Sequence, residues 1–264
     1  MYKLIVFDID GTIRDEKYGI PISTKQALEL CHQKGYQICI CTGRNLSSIQ
    51  DDVLQLPVDY WITGGGHLIA SPTKMISEYY FEQHDINYVY EYLQDQKEIG
   101  VVFEGKTEMF MNQKAVDYLM KMNQEKEISD LNHKIDYQDQ FHLYNQEPIH
   151  KICLWCNDTE YQKIQEIMGN RYLIAQQIDH YYELVCFNGD KGTAIQKLIH
   201  YLEINKEDVI AFGDGLNDMS LFENVGCSVA MGNANAELKS YATYVCEDIM
   251  DEGIYKELKR QKII

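Results

Sequence analysis

A chain of 264 residues is long for one small domain and short for three, so one large domain or a core with an inserted module is expected. Its 45% hydrophobic and 25% charged residues describe a folded globular protein, not a disordered one. The 41 acidic and 24 basic side chains give a formal net charge of −17, a field that repels nucleic acid and anionic membrane, and no Lys/Arg run counters it.

No stretch approaches the roughly 20 apolar residues of a membrane span. Met1 to Asp10 lacks the basic lead and cleavage site of a signal peptide. The eight cysteines sit mostly in apolar, strand-like runs. Cys153-x-x-Cys156 falls in such a run, whereas a redox pair needs an exposed helix start and a zinc site four convergent ligands. Reduced structural thiols and a cytoplasmic location are expected.

In chain order, Lys3–Phe7 is a β-branched and aromatic run that predicts a buried strand, with Asp8 at its carboxyl end. A helix follows, capped by Ser23 or Thr24, apolar at Ala27, Leu28 and Cys31, and ended by Gly35. Gln37–Cys41 predicts a second strand, Thr42-Gly43-Arg44 the start of a helix through Val53 or Leu54, and Asp59–Thr63 a third strand. Such a β-α-β-α-β rhythm with short loops predicts a parallel sheet with right-handed crossovers. Ligands in these sheets bind beyond the strand carboxyl ends, where Asp8, Thr42 and Thr63 lie.

After Gly64-Gly65-Gly66, the runs His67–Ala70 and Met75–Phe81 predict a hairpin leading out of the sheet. Residues 84–187 read as a helix, two strands around Gly105-Lys106, a helix, a strand, a helix, then the strands Arg171–Gln177 and Tyr181–Phe187. That is an α+β module with an antiparallel sheet. It carries 18 acidic and 9 basic side chains and 10 of the 20 tyrosines. Most of these tyrosines are expected to pack the sheet on its helices. The parallel rhythm resumes with helix Gly192–Tyr201, strand Asp208–Phe212, the turn Gly213-Asp214-Gly215, helix Asn217–Glu223, strand Cys227–Ala230 and helix Ala234–Tyr241. The fold class is α/β: a core of residues 1–83 and 188–264, interrupted by an inserted domain at 84–187.

Four short clusters each stand at the end of a predicted parallel strand. In Asp8-Ile9-Asp10-Gly11-Thr12, two carboxylates at i and i+2 could share a pocket while Gly11 permits a turn. Such a pair can hold a hard cation, supply a nucleophile or divide acid and base roles; it reads equally as a solvated turn. Thr42-Gly43-Arg44 offers a hydroxyl and free N–H groups at a helix start, a phosphate cradle or a plain cap. Lys191 is a lone cation entering a helix. Gly213-Asp214-Gly215-Leu216-Asn217-Asp218 crowds three oxygen-bearing side chains after an apolar strand, at a cost that a metal ion would offset.

Jointly and in this order, the clusters resemble motifs one to four of the haloacid dehalogenase (HAD) superfamily. The similarity is closest to the Cof-type (class IIB) branch of sugar-phosphate and related phosphatases. Val229-Ala230-Met231-Gly232-Asn233-Ala234 and Asp251-Glu252-Gly253-Ile254 resemble that branch's last core segments. The resemblance implies a Rossmann-like parallel-sheet core with an inserted α+β cap of the C2 type, and Mg²⁺-dependent hydrolysis of a small phosphorylated metabolite. By position, Asp8 would be the nucleophile, forming an aspartyl-phosphate, and Asp10 the acid and base. Mg²⁺ would be held by Asp8, the Asp10 carbonyl and Asp214, with Asp218 counted in the metal set and ordering the site with Asn217. Thr42, Gly43 and Lys191 would hold the phosphoryl group, and Arg44 would contact substrate or brace the loop.

The second aspartate, Asp10, favours phosphate over halide chemistry within the superfamily. A phosphomutase, or a phospho-ligand sensor without turnover, are the rival readings. Neither nucleic acid nor membrane is an expected partner, and a monomer or homodimer is the expected state. One departure from the branch is plain: an Asn-Gly-Ala step commonly follows its third core strand, whereas this chain reads Thr63-Gly64-Gly65-Gly66-His67. His67 reads as a hairpin residue, because the mechanism already has its acid and base.

Overall fold

The computed structural model describes residues 2–125, 138–169, 172–178, 180–186 and 189–264. It divides the chain into two compact units, one of Met1–Gly43, Gln50–Glu78 and Gly189–Ile264, the other of Arg44–Ile49 and Tyr79–Asn188.

The first unit opens with β1 (Leu4–Phe7), every side chain of which is buried. Helix α1 (Ile22–Gln33) starts earlier than the caps expected for it: Pro21 stands at the N-cap with a helix-compatible φ of −56°, and Ser23 and Thr24 are buried within the first turn. Strand β2 (Gln37–Cys41) follows. No helix begins at Thr42-Gly43-Arg44. A 3₁₀ turn at Leu46–Ser48 and a four-residue helix α2 (Asp51–Leu54) take the place of the expected one. The Ser47 hydroxyl donates to the Gly105 carbonyl at 3.0 Å and that of Ser48 to the Asn45 carbonyl at 2.9 Å, bonds that compete with regular helix.

Strand β3 (Tyr60–Thr63) leads into β4 (Leu68–Ser71) and β5 (Lys74–Glu78). This hairpin does not leave the sheet as the sequence suggested. β4 pairs antiparallel with β3, Leu68 opposite Thr63, and β5 pairs with β4. Three consecutive glycines with φ of +60°, +65° and +118° at Gly64, Gly65 and Gly66 reverse the chain in place, a course open to glycine and strained for other residues.

The second unit contains α3 (Gln83–Leu93), β6 (Gly100–Gly105), β7 (Met109–Met111), α4 (Gln113–Glu125), β8 (Ile149–Trp155), α5 (Asp158–Met168), β9 (Leu173–Ile178) and β10 (Tyr181–Val185). Its antiparallel sheet runs β7-β6-β8-β10-β9. Alternation along the strands separates two cores. Val101, Phe103, Ile152 and Leu154 pack with Ile86 and Val89 of α3 and Ile164 of α5; Val102 and Cys153 pack with Ala115 and Val116 of α4. The unit starts at Tyr79, earlier than position 84, because Phe81 belongs to the larger core and its N–H donates to the Ile149 carbonyl at 2.8 Å. Stacked pairs such as Tyr90 with Tyr144 and Tyr161 with Tyr182 put tyrosines in the packing. Cys153 and Cys156 are buried free thiols. Arg171 and Phe187, the outer bounds of two expected strands, and Tyr137 lie outside the described residues.

The first unit resumes with α6 (Lys191–Leu202), β11 (Val209–Gly213), α7 (Met219–Glu223), β12 (Cys227–Ala230), α8 (Ala236–Tyr241), β13 (Tyr244–Val245) and α9 (Gly253–Arg260). Residues Leu216–Asp218 form a 3₁₀ turn ahead of α7, and α8 begins at Ala236 behind an Asn235 cap, both shorter than the sequence suggested. The sheet order is β13-β12-β11-β1-β2-β3-β4-β5, parallel from β13 to β3. β1 lies between β2 and β11, Phe7 facing Ile40 on one side and Phe212 on the other. The carboxyl ends of three neighbouring strands therefore release Asp8, Thr42 and Asp214 on one edge. None of the described helices is long and apolar enough to cross a membrane.

Candidate active site

Asp8 leaves β1 with its N–H donated to the Phe212 carbonyl at 3.1 Å, so the last ladder bond fixes the residue that follows the strand. The chain then turns at Gly11, whose φ is +71° and where an added Cβ would collide with the Asp214 carboxylate. Glycine thus allows the Asp8 loop and the Asp214 loop to close on each other. The Thr12 hydroxyl donates to Asp214 Oδ1 at 3.5 Å across this approach.

Lys191 enters from the first turn of α6, which the Asp190 carboxylate caps by accepting the Thr193 N–H at 2.8 Å. Its Nζ lies 2.6 Å from Asp8 Oδ1 and 2.6 Å from Asp218 Oδ1. Asp218 is wholly buried, and its other oxygen accepts the N–H groups of Asp214 and Gly215 at 3.0 and 3.1 Å. One carboxylate therefore positions both the lysine and the turn carrying Asp214.

Asp8, Asp214 and Asp218 each bring a carboxylate oxygen within 4.8 Å of the others. Burial pushes the Asp8 carboxyl up to about 7; Lys191 opposes the shift, while Asp218 and Asp10 add to it. Burial, then Asp218, likewise raises Asp214 to about 6. For Lys191, burial favours the neutral amine, but Asp8 and Asp218 outweigh it and hold the ammonium above its ordinary range. Three carboxylates against one ammonium leave uncompensated negative charge in a desolvated place. The all-oxygen donor set and the tight Gly11 approach suit a hard divalent cation.

The other expected residues divide. Thr42 is buried, donates its N–H to the Ile62 carbonyl at 2.9 Å and accepts from the Gly65 N–H at 2.9 Å. Gly43 neighbours the Asn217 amide, which would lie 3.9 Å from a Cβ at that position. Asp10 is exposed on the turn and bridges to Arg14 through the backbone. Arg44 falls in the second unit, where its guanidinium donates to the Ser48 carbonyl at 3.3 Å.

Two supporting residues escaped the reading of candidate groups. Thr12 sits inside the Asp8–Thr12 cluster yet was not singled out. Asn233 donates its amide to the Gly11 carbonyl at 2.7 Å and accepts from the Ile249 N–H at 3.2 Å, tying the loop to the carboxyl-terminal part of the unit. Its signal in the sequence was its place in the Val229–Ala234 segment that resembles the family, where no role was assigned to it.

A buried carboxylate thus ends a central parallel strand, held by a lysine beside two further aspartates. Residues 5–258 match the family model for haloacid dehalogenase-like hydrolases, and the chain belongs to that family. It is 30% identical over 263 residues to a Bacillus subtilis (strain 168) protein named "Putative phosphatase YkrA", covering 97% of this chain and 96% of the relative. It is 27% identical to phosphatase YwpJ of the same organism, covering 97% and 99%. Among solved structures, the HAD subclass IIB sugar phosphatase BT4131 superposes with a TM-score of 0.73 at 25% identity, covering 99% of this chain and all of that one. The protein is thus a phosphatase of the HAD superfamily, acting on phosphorylated substrates.

Proposed function

We propose that this phosphatase hydrolyses phosphate monoesters of small metabolites, sugar phosphates foremost, through an aspartyl-phosphate on Asp8. The observation that carries the reading is the seat of Asp8: buried at the end of β1 and held by Lys191 at 2.6 Å, beside Asp214. An Asp8 oxygen attacks phosphorus as the ester P–O bond breaks, and Asp10, on the turn two residues on, gives its proton to the leaving alkoxide. Asp10 then takes a proton from water as that water attacks the phosphoryl-aspartate, releasing phosphate and restoring Asp8.

Lys191, Thr42 and the Gly43 N–H hold the phosphoryl oxygens and spread their charge, with Asn217 beside Gly43. Asp8, the Asp10 carbonyl and Asp214 form the seat for Mg²⁺, and Asp218 orders it. When bound, the ion neutralises charge between the anionic nucleophile and the anionic ester. The second unit takes the part of the C2 cap, and Arg44 that of a substrate-side or bracing group. The 18 acidic and 9 basic side chains of residues 84–187 make polyphosphorylated substrates poorer than sugar monophosphates.

A panel of phosphorylated metabolites, assayed for free phosphate with Mg²⁺ or with chelator, tests the reading. Asp8→Asn should abolish release while keeping the melting temperature and circular dichroism of the parent. Retained turnover would remove Asp8 as nucleophile, and transfer between sugar positions without free phosphate would replace hydrolysis by mutase chemistry.

A further inference from the structure

The structure assigns His67 as a positioning residue of the phosphoryl pocket, a clamp that fixes the triple-glycine turn on which Thr42 rests. The assignment relies on the proposed phosphate-binding part of Thr42.

Both backbone groups of Thr42 are satisfied by the β3 end and the turn after it: its N–H goes to the Ile62 carbonyl and its carbonyl accepts the Gly65 N–H, each at 2.9 Å. The Gly65 amide is therefore one of the two backbone supports of Thr42. Gly65 sits in the middle of three glycines with positive φ, and a Cβ there would meet nothing within 4 Å. No neighbouring side chain packs at the Gly65 Cα, and three successive glycines carry a large backbone entropy.

Two bonds restrain it. Gly66 donates its N–H to the Thr63 carbonyl at 3.0 Å. The imidazole Nδ1 of His67, itself buried, bonds the Gly64 carbonyl. A carbonyl only accepts, so Nδ1 bears the proton and the ring acts as a donor. The side chain thus closes a loop from residue 67 back to 64, around the amide that supports Thr42. The histidine supplies restraint to a Gly-Gly-Gly turn whose own backbone is free to move.

The test compares His67→Ala, His67→Asn and His67→Gln on the intact chain. In His67→Ala, KM for a phosphate ester and Ki for inorganic phosphate rise together by about ten-fold, the effect of one lost hydrogen bond, and kcat changes less. Asparagine carries an N–H where Nδ1 stands and restores both constants; glutamine, whose amide reaches the place of Nε2, does not. Hydrogen exchange at the Gly65 amide, followed by NMR, is faster in the alanine and glutamine variants and at the parent rate in the asparagine variant. If His67→Ala does not fold, the asparagine and glutamine pair carries the test.

Unchanged KM and Ki in His67→Ala, equal rescue by both amides, or a loss confined to kcat with a displaced pH profile would each overturn the clamp. Thr42→Ala separates the two levels. If that variant keeps parental KM and Ki, the phosphate-binding reading of Thr42 fails and the clamp's purpose with it. If Thr42→Ala raises both constants and His67→Ala does not, the clamp alone fails.

Discussion

Lys191 is where most of the site's electrostatics converge. Replacing it by methionine leaves Asp8 and Asp218 buried without a counter-ion, a change of about 3–5 kcal/mol when both stay ionised. Because burial holds Asp8 near 7, acid relieves that penalty by protonation. Lys191→Met should therefore lose more melting temperature at pH 8 than at pH 5, in addition to losing turnover. Thermal melts at the two pH values decide it.

Asp8 and Asp214 fix the sign of a second pH effect. Their carboxyls are raised in the fold to about 7 and about 6, so the metal-free protein binds more protons than its unfolded chain between the ordinary carboxylate range and those values. Their contribution to stability is complete below that window and fades as pH rises through it. In the proposed seat Mg²⁺ would need both groups ionised, so added Mg²⁺ should raise the melting temperature more at pH 8 than at pH 5.5. An equal rise at both would detach the ion from this pair.

Individual residues were legible where chemistry-bearing side chains cluster in the sequence, as in the Asp8–Thr12 and Gly213–Asp218 runs. Lys191, whose partners Asp8 and Asp218 are 183 and 27 positions away, stood out only through the family resemblance. Asn233 was visible only within a family-like segment, and its role was not, since it works on a residue 222 positions away. His67 was visible as an oddity, but its use depends on glycine dihedrals that no side-chain pattern reports.

Elements show the same division. The β-α-β rhythm placed β1, β2, β3, β11 and β12 within a residue or so at either end, since buried parallel strands are short apolar runs bounded by turn residues. The helix expected from Thr42 failed because serine hydroxyls at 47 and 48 take backbone carbonyls as partners, which hydrophobic spacing does not register. The capping of α6 is a prediction at this scale. Asp190→Ala frees the Thr193 N–H and should cost about 1 kcal/mol. It should also loosen the turn that aims Lys191, so kcat should fall along with the midpoint of urea unfolding; a lowered midpoint at parental kcat would make the cap purely structural.

For the whole molecule, the −17 charge sets which phosphates arrive easily. A substrate with several phosphates meets more repulsion than a monophosphate, and salt screens it over a Debye length of about 10 Å at 0.1 M. The ratio of kcat/KM for a bisphosphate over the matching monophosphate should therefore rise with ionic strength. A ratio independent of salt would place the discrimination in contacts instead of the field.

The central position of β1 has a further consequence, for the order of synthesis. One flank of Leu4–Phe7 is covered by β2 soon after it emerges, but the other waits for Val209–Phe212, about two hundred residues later. Until then a fully apolar strand presents unpaired amides and carbonyls, the kind of open edge that recruits other chains. The second unit, which brings its own two cores, is complete on the ribosome before that edge closes. Nascent chains long enough to have released the second unit from the ribosome, but not Val209–Phe212, should then be protease-resistant in the second unit while depending on chaperones for the first.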